Sequence, residues 1–157
     1  MPIRVLVADI EVALSTETAT QLAEELGLTT REGADFDAAG AARLLEAPAS
    51  DQPIQFDRRE GWAVLRALDN LFRGGRLNDE LTRLRETIAD EIPFEPITYD
   101  LFVIGFELEQ MSVVSCAGPL DVGDRLLTKE GVWRVRDVTQ LTGGGQGVTC
   151  VSAYKPS

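Results

Sequence analysis

Apolar residues recur with two different periods along this chain, and the change of period falls near residue 92. At the start, Ile3, Val5 and Val7 alternate with other residues. After a phase change at Ala8 and Asp9 the alternation resumes with Ile10, Val12 and Leu14, which predicts one long strand with a bulge near Asp9. Ser15 or Thr16 then offers a helix N-cap, and Ala19, Leu22, Ala23 and Leu26 follow at helical spacing, with Gly27 as the expected stop. Residues 28–52 are rich in Gly, Ala, Asp and Pro, with a short helix predicted between Phe36 and Ala47.

A short strand at Ile54 to Phe56 leads into Asp57, with Glu60 three residues on, a capping-box pattern that opens a helix. That helix carries Trp62, Val64, Leu65, Leu68, Leu71 and Phe72, an apolar arc too wide for one buried stripe. It is expected to be central, or packed on two sides, and to end at Gly74 and Gly75. Asn78 caps a further helix with Leu81, Leu84 and Ile88 on one face and Leu77 as a staple.

Pro93 and Pro96 both forbid continuation of a helix, so residues 93–96 are read as a linker between a module at 1–92 and another at 97–157. The second module has the two-residue period of strands, at 98–107, 110–117, 125–129, 132–139 and 147–154. The expected fold class is therefore α+β. An N-terminal strand/helix module precedes a small five-stranded antiparallel β-barrel-like module of the SH3-like or OB-like kind. Within it, Gly118 to Asp124 resembles the Gly-Asp turn that precedes a strand in many small barrels, including the second domain of translation GTPases. That turn is shared by many functions and implies a structural role only.

Charge and composition narrow the chemistry. The 157 residues carry 15 basic against 26 acidic side chains, a net charge of −11, and both modules are acidic. Such a field repels phosphate backbones and disfavours nucleic acid as a partner. Lysine occurs only at 129 and 155, the rest of the basic residues being arginine, which suggests a GC-rich bacterial source. The longest apolar run is about six residues against the roughly 20 that span a bilayer. The N-terminus lacks a secretory pattern, and the two cysteines, Cys116 and Cys150, read as buried thiols of a reducing compartment, with a disulfide as the alternative. A cytoplasmic location and no membrane contact are expected.

The chain has no histidine, which removes Ser-His-Asp and Cys-His nucleophile systems and most zinc or iron sites. Tight acidic clusters occur at Asp35 with Asp37 and at Asp79 with Glu80, neither in an EF-hand pattern; the second suits a helix first turn. Gly143 to Gly147 lacks the ending of a phosphate loop and reads as a hairpin tip. Ser152 and Lys155 match a nucleophile pattern only by chance, because they fall in a strand context. No cofactor is expected.

What remains is a non-catalytic protein-interaction, assembly or adaptor module that works with a protein partner or by self-association. Its candidate surface comprises Trp62, Leu65 and Phe72 on the wide helix, with Arg125, Arg134 and Arg136 as a basic strip on the barrel. In Val132 to Arg136, alternation puts Trp133 and Val135 inward and the two arginines outward. Two alternatives stand beside this reading: a small-barrel nucleic-acid or nucleotide binder using the arginines, and an enzyme built on carboxylates with a divalent cation.

Overall fold

The computed structural model describes residues 3–29, 38–46, 52–91, 97–104, 108–116, 119–129 and 131–152. The proline linker at 93–96, the Asp35 and Asp37 pair and Lys155 lie outside the described residues. The order is β1 (Ile3–Val7), β2 (Ile10–Leu14), α1 (Thr16–Thr29), α2 (Ala38–Glu46), β3 (Ile54–Gln55), α3 (Arg58–Arg73), α4 (Asp79–Glu91), β4 (Ile97–Ile104), β5 (Leu108–Cys116), β6 (Arg125–Thr128), β7 (Gly131–Gln140) and β8 (Gln146–Ser152).

Where a long bulged strand was expected, the chain folds back. Val7 pairs with Ile10 across a two-residue turn, and β1 and β2 run antiparallel from Ile3↔Leu14 inward. Ala8 takes a φ of 52°, which an alanine adopts only under strain, so the phase change in the sequence marks a hairpin tip. A third strand, β3, joins β1 in parallel, giving the order β2-β1-β3.

Helix starts are set by local chemistry. Asp57 accepts from Glu60 N while Glu60 reaches back to Asp57 N at 2.9 Å, completing the capping box of α3. At the other end Gly75 N donates to Phe72 O and Arg76 N to Leu71 O, with Gly75 at φ 70°, a Schellman stop. Gly27 does not stop α1, which continues to Thr29: its φ is not positive, it lies on the exposed face, and a glycine inside a helix costs only about 1 kcal/mol.

The first turns of α1 and α4 are tied together. Ser15 Oγ accepts from Thr18 N, and Asn78 Oδ1 from Leu81 N, so each helix has its own N-cap. Asn78 Nδ2 then donates to Thr18 Oγ1 at 2.9 Å, and Glu80 accepts from Ser15 N at 3.1 Å. Glu80 thus fills, from another helix, the place that a glutamate at the third position of α1 would take. Within the Asp79 and Glu80 cluster, Glu80 thus serves as a cap for α1. Hydrogen bonding from Thr18, outweighing the effect of burial, holds its carboxyl below the ordinary range.

The C-terminal strands form a five-stranded, curled half-barrel of order β5-β4-β8-β7-β6. It is not wholly antiparallel: β4 and β8 pair in parallel, Leu101 with Val148 and Val103 with Cys150. Hairpin signals specify neighbours in sequence, whereas β4 and β8 meet only after the intervening strands have been laid down. In β7 the register shifts between Val135 and Asp137. The bulge at Arg136 lets Trp133 and Val135 face the sheet interior before it and Val138 after it.

Two apolar clusters result. One surrounds α3 with the inner faces of α1, α2, α4 and the small sheet; the other lines the half-barrel around Tyr99, Leu101, Leu126, Trp133 and Val148. Successive residues of a strand point to opposite faces, and β6 uses this to join them. Leu126 enters the half-barrel cluster and Leu127 the helical one. Among the described residues no helix is long and apolar enough to cross a membrane.

Candidate functional site

Among the described residues the half-barrel has two edge strands without a further partner, β5 and β6, and unpaired backbone groups along an edge must be satisfied or covered. Helix α3 lies along the seam between them. Asn70, buried near the end of α3, accepts from Leu127 N at 3.2 Å and donates to Arg125 O at 3.4 Å, taking the place of a missing strand beside β6. Arg73, one turn on, donates to Ser115 O of β5 at 2.7 Å and to Asn70 Oδ1. Its Nε is buried without a hydrogen-bond partner. One turn of helix therefore serves both edges.

Ion pairs hold this contact. Arg66 donates to Asp124 Oδ2 at 3.1 Å and to Pro119 O at 3.0 Å. Asp124 also accepts from Asp121 N, which fixes the Gly-Asp turn whose resemblance to barrel turns was noted in the sequence. Gly123 supplies its φ of 93°. Arg125 makes a bidentate pair with Glu25 of α1, at 3.0 and 3.1 Å, with both side chains almost enclosed. Asp69, also buried, accepts from Arg85 Nε at 3.0 Å.

The six residues singled out from sequence do not form one surface. Leu65 is fully enclosed in the core, and Trp62 is half-buried against it, so both support α3 from within. Arg125 sits opposite Arg134 on the neighbouring strand, but its guanidinium is turned to Glu25. Arg134 donates to Gly123 O at 2.9 Å, and Arg136 stands exposed on the bulge. Phe72 alone is a large apolar group left open, at 55% exposure.

Phe72 has company that sequence reasoning missed. Val113 of β5 is 58% exposed, and the two line one groove of about 270 Å³ where α3 ends and the seam is no longer filled. Arg73, Arg85, Lys129 and Asp69 line it as well, with Val114, Ser115 and Thr128. The Arg85 guanidinium lies 4.4 Å from the centroid of the Phe72 ring, a cation–π contact that holds the ring in place. With three cations to one carboxylate, this groove is a basic spot on a chain of net charge −11. A clue existed in the sequence, since Phe72 lies at the edge of the apolar arc of α3; Val113 gave none, because inward and outward valines look alike in a strand.

A larger cleft, about 420 Å³, opens beside the β1–β2 turn and the start of α3. Its polar lining residues, Gln55, Asp57, Arg58 and Glu91, are all exposed, and Asp57 is committed to its cap. Nothing there converges on a bound group, so the smaller groove is the better candidate despite its size.

The thiols lie apart from the groove. Cys116 and Cys150 are both free and buried, on strands separated by β4. Burial pushes the Cys150 thiol up to about 12, with Cys116 adding to the shift, and burial also raises Cys116. Among the described residues no three acidic or thiol groups gather in a way that could hold a metal ion. Comparisons with known protein families, curated proteins and solved structures give no match.

Proposed function

We propose that this chain is a non-catalytic protein-interaction module, an adaptor or assembly component, and that it receives a partner's polypeptide in the groove at the end of α3. The observation that carries the reading is the gathering of Phe72 and Val113. Five large apolar residues are strongly exposed among those described, and these two share one concave site with a cationic rim. Scattered exposed apolar groups are ordinary; an aromatic anchor in a polar-rimmed groove is what binding hot spots look like.

Carboxylates in the seam and at the helix starts serve structure instead. Glu25, Asp69 and Asp124 are each paired with an arginine, and Glu60 and Glu80 cap helices. The arginine strip behind the nucleic-acid alternative is likewise partly engaged, through Arg125 and Arg134.

The test is selection of binders from a displayed random-peptide library on the purified chain, followed by measurement with Phe72→Ala. Peptides whose affinity drops by tens of fold in the variant support the reading, as expected for an aromatic anchor worth about 2 kcal/mol or more. Failure to enrich any Phe72-dependent peptide removes it.

A further inference from the structure

We infer that the groove is the visible end of a strand-addition site, in which a partner segment that is extended, acidic and apolar by alternation pairs with the free edge of β5. The inference rests on the protein-interaction reading above and adds the mode of recognition and the chemistry of the partner.

The argument starts from what α3 does lower in the seam. There its side chains stand in for a strand, Asn70 on the β6 edge and Arg73 on the β5 edge. The helix ends at Arg73, and the chain turns away through Gly75. β5, however, continues from Ser115 back to Leu108, with β4 on one side and no strand on the other among the described residues. In an antiparallel pair, alternate residues direct both backbone groups away from the partner strand. Arg73 takes the Ser115 carbonyl from the side of α3, so Val113, two residues along, belongs to the same outward-directed set.

An added strand would thus find unpaired N–H and C=O groups beside the apolar groove. Alternate side chains of such a strand fall on one face, where Phe72 and Val113 would receive apolar ones. Arg85 and Lys129 favour carboxylates at the remaining positions.

Charge decides between a partner and a second copy of this chain. Pairing of β5 with its own symmetry mate would bring two basic grooves together, each lined by Arg73, Arg85 and Lys129 against the one carboxylate of Asp69, which pairs with Arg85. Like charges there oppose self-pairing, and an acidic segment is complementary.

The experiment uses peptides from the library selection, resynthesised with a single backbone N-methyl group moved along the sequence. Strand addition is expected to give a period-two pattern, with affinity falling at least tenfold at every second position. Binding should also slow amide exchange in 108–115, and Lys129→Glu should weaken it severalfold while reversing the preference for acidic peptides. Phe72-dependent peptides that bind without the period-two pattern or without protection of β5 overturn strand addition and leave the interaction reading standing. Absence of any Phe72-dependent peptide overturns both. Concentration-dependent self-association that protects β5 without peptide shows the occupant to be a second copy and overturns the acidic-partner assignment.

Discussion

Two stretches in the C-terminal half of α3 meet the seam between β5 and β6 with opposite outcomes. Around Arg66 and Asn70 the seam is closed by buried hydrogen bonds and ion pairs that tie the helical half to the half-barrel. Around Phe72 it is open, apolar and rimmed with cations. A protein that must satisfy its own edges does so where polar side chains can reach backbone groups; an edge left beside an exposed aromatic ring is where the proposed partner would bind. The difference predicts opposite responses to mutation, heavy losses of stability in the closed part and loss of binding alone in the open part.

The largest effect is expected at the Glu25–Arg125 pair. Glu25→Ala leaves a guanidinium nearly enclosed and uncompensated, which should cost about 3–5 kcal/mol in urea denaturation. The double variant Glu25→Leu with Arg125→Met replaces the pair by apolar groups and should recover most of the loss. Phe72→Ala, in contrast, should change stability by less than about 1 kcal/mol, since its ring is more than half exposed and its carbonyl, which accepts from Gly75 N, is unchanged. A loss at Phe72 as large as that at Glu25 would break the comparison, for then the groove would be part of the closed seam.

Gly74 sharpens it from the helix side. A Cβ added there would come within 2.8 Å of Leu127, the residue that β6 contributes to the helical core. Gly74→Ala should therefore cost about 1–3 kcal/mol by displacing a packed side chain, measurable in the same denaturation series. Away from the seam, Ala8→Gly should stabilise by roughly 0.5–1 kcal/mol, because the strain of a positive φ disappears and only part of it is returned as unfolded-state entropy. A destabilised Ala8→Gly variant would show that the turn is not under strain.

How much of this was legible in the sequence follows the range of the interactions. The capping box at Asp57 and Glu60, the stop at Gly74 and Gly75, and the inward placement of Trp133 and Val135 are specified within a few residues. The Ala8–Asp9 hairpin was readable as a break in phase but not as a reversal, because both continuations keep alternate residues on one face. The parallel β4–β8 pair, and the burial of Glu25 and Asn70, depend on partners about 45 to 100 positions away. A glutamate beside Leu22 and Leu26 looks like the polar margin of an apolar stripe until Arg125 is placed against it. The groove shares this property, since Phe72 and Val113 belong to elements that meet only in the folded chain.

The smallest expected effect concerns acid. Glu80 has its carboxyl lowered from an ordinary 4.5 by the hydroxyl and amide donors at the start of α1. A depressed folded-state value means that the native chain holds the proton less readily than the unfolded one. The cap therefore contributes fully above the unfolded value and is lost as pH falls through the lower folded value. Glu80→Gln keeps an acceptor oxygen but no longer titrates. The variant should be somewhat less stable than the parent at neutral pH, and the gap should close as pH drops below the ordinary carboxylate range. Paired urea titrations at neutral and acid pH measure it; a gap that persists or widens in acid would mean that Glu80 stabilises by packing instead of by charge. Because Glu80 lies on the helical side, away from the seam, peptide binding at Phe72 should be unchanged in this variant, which separates the two regions once more.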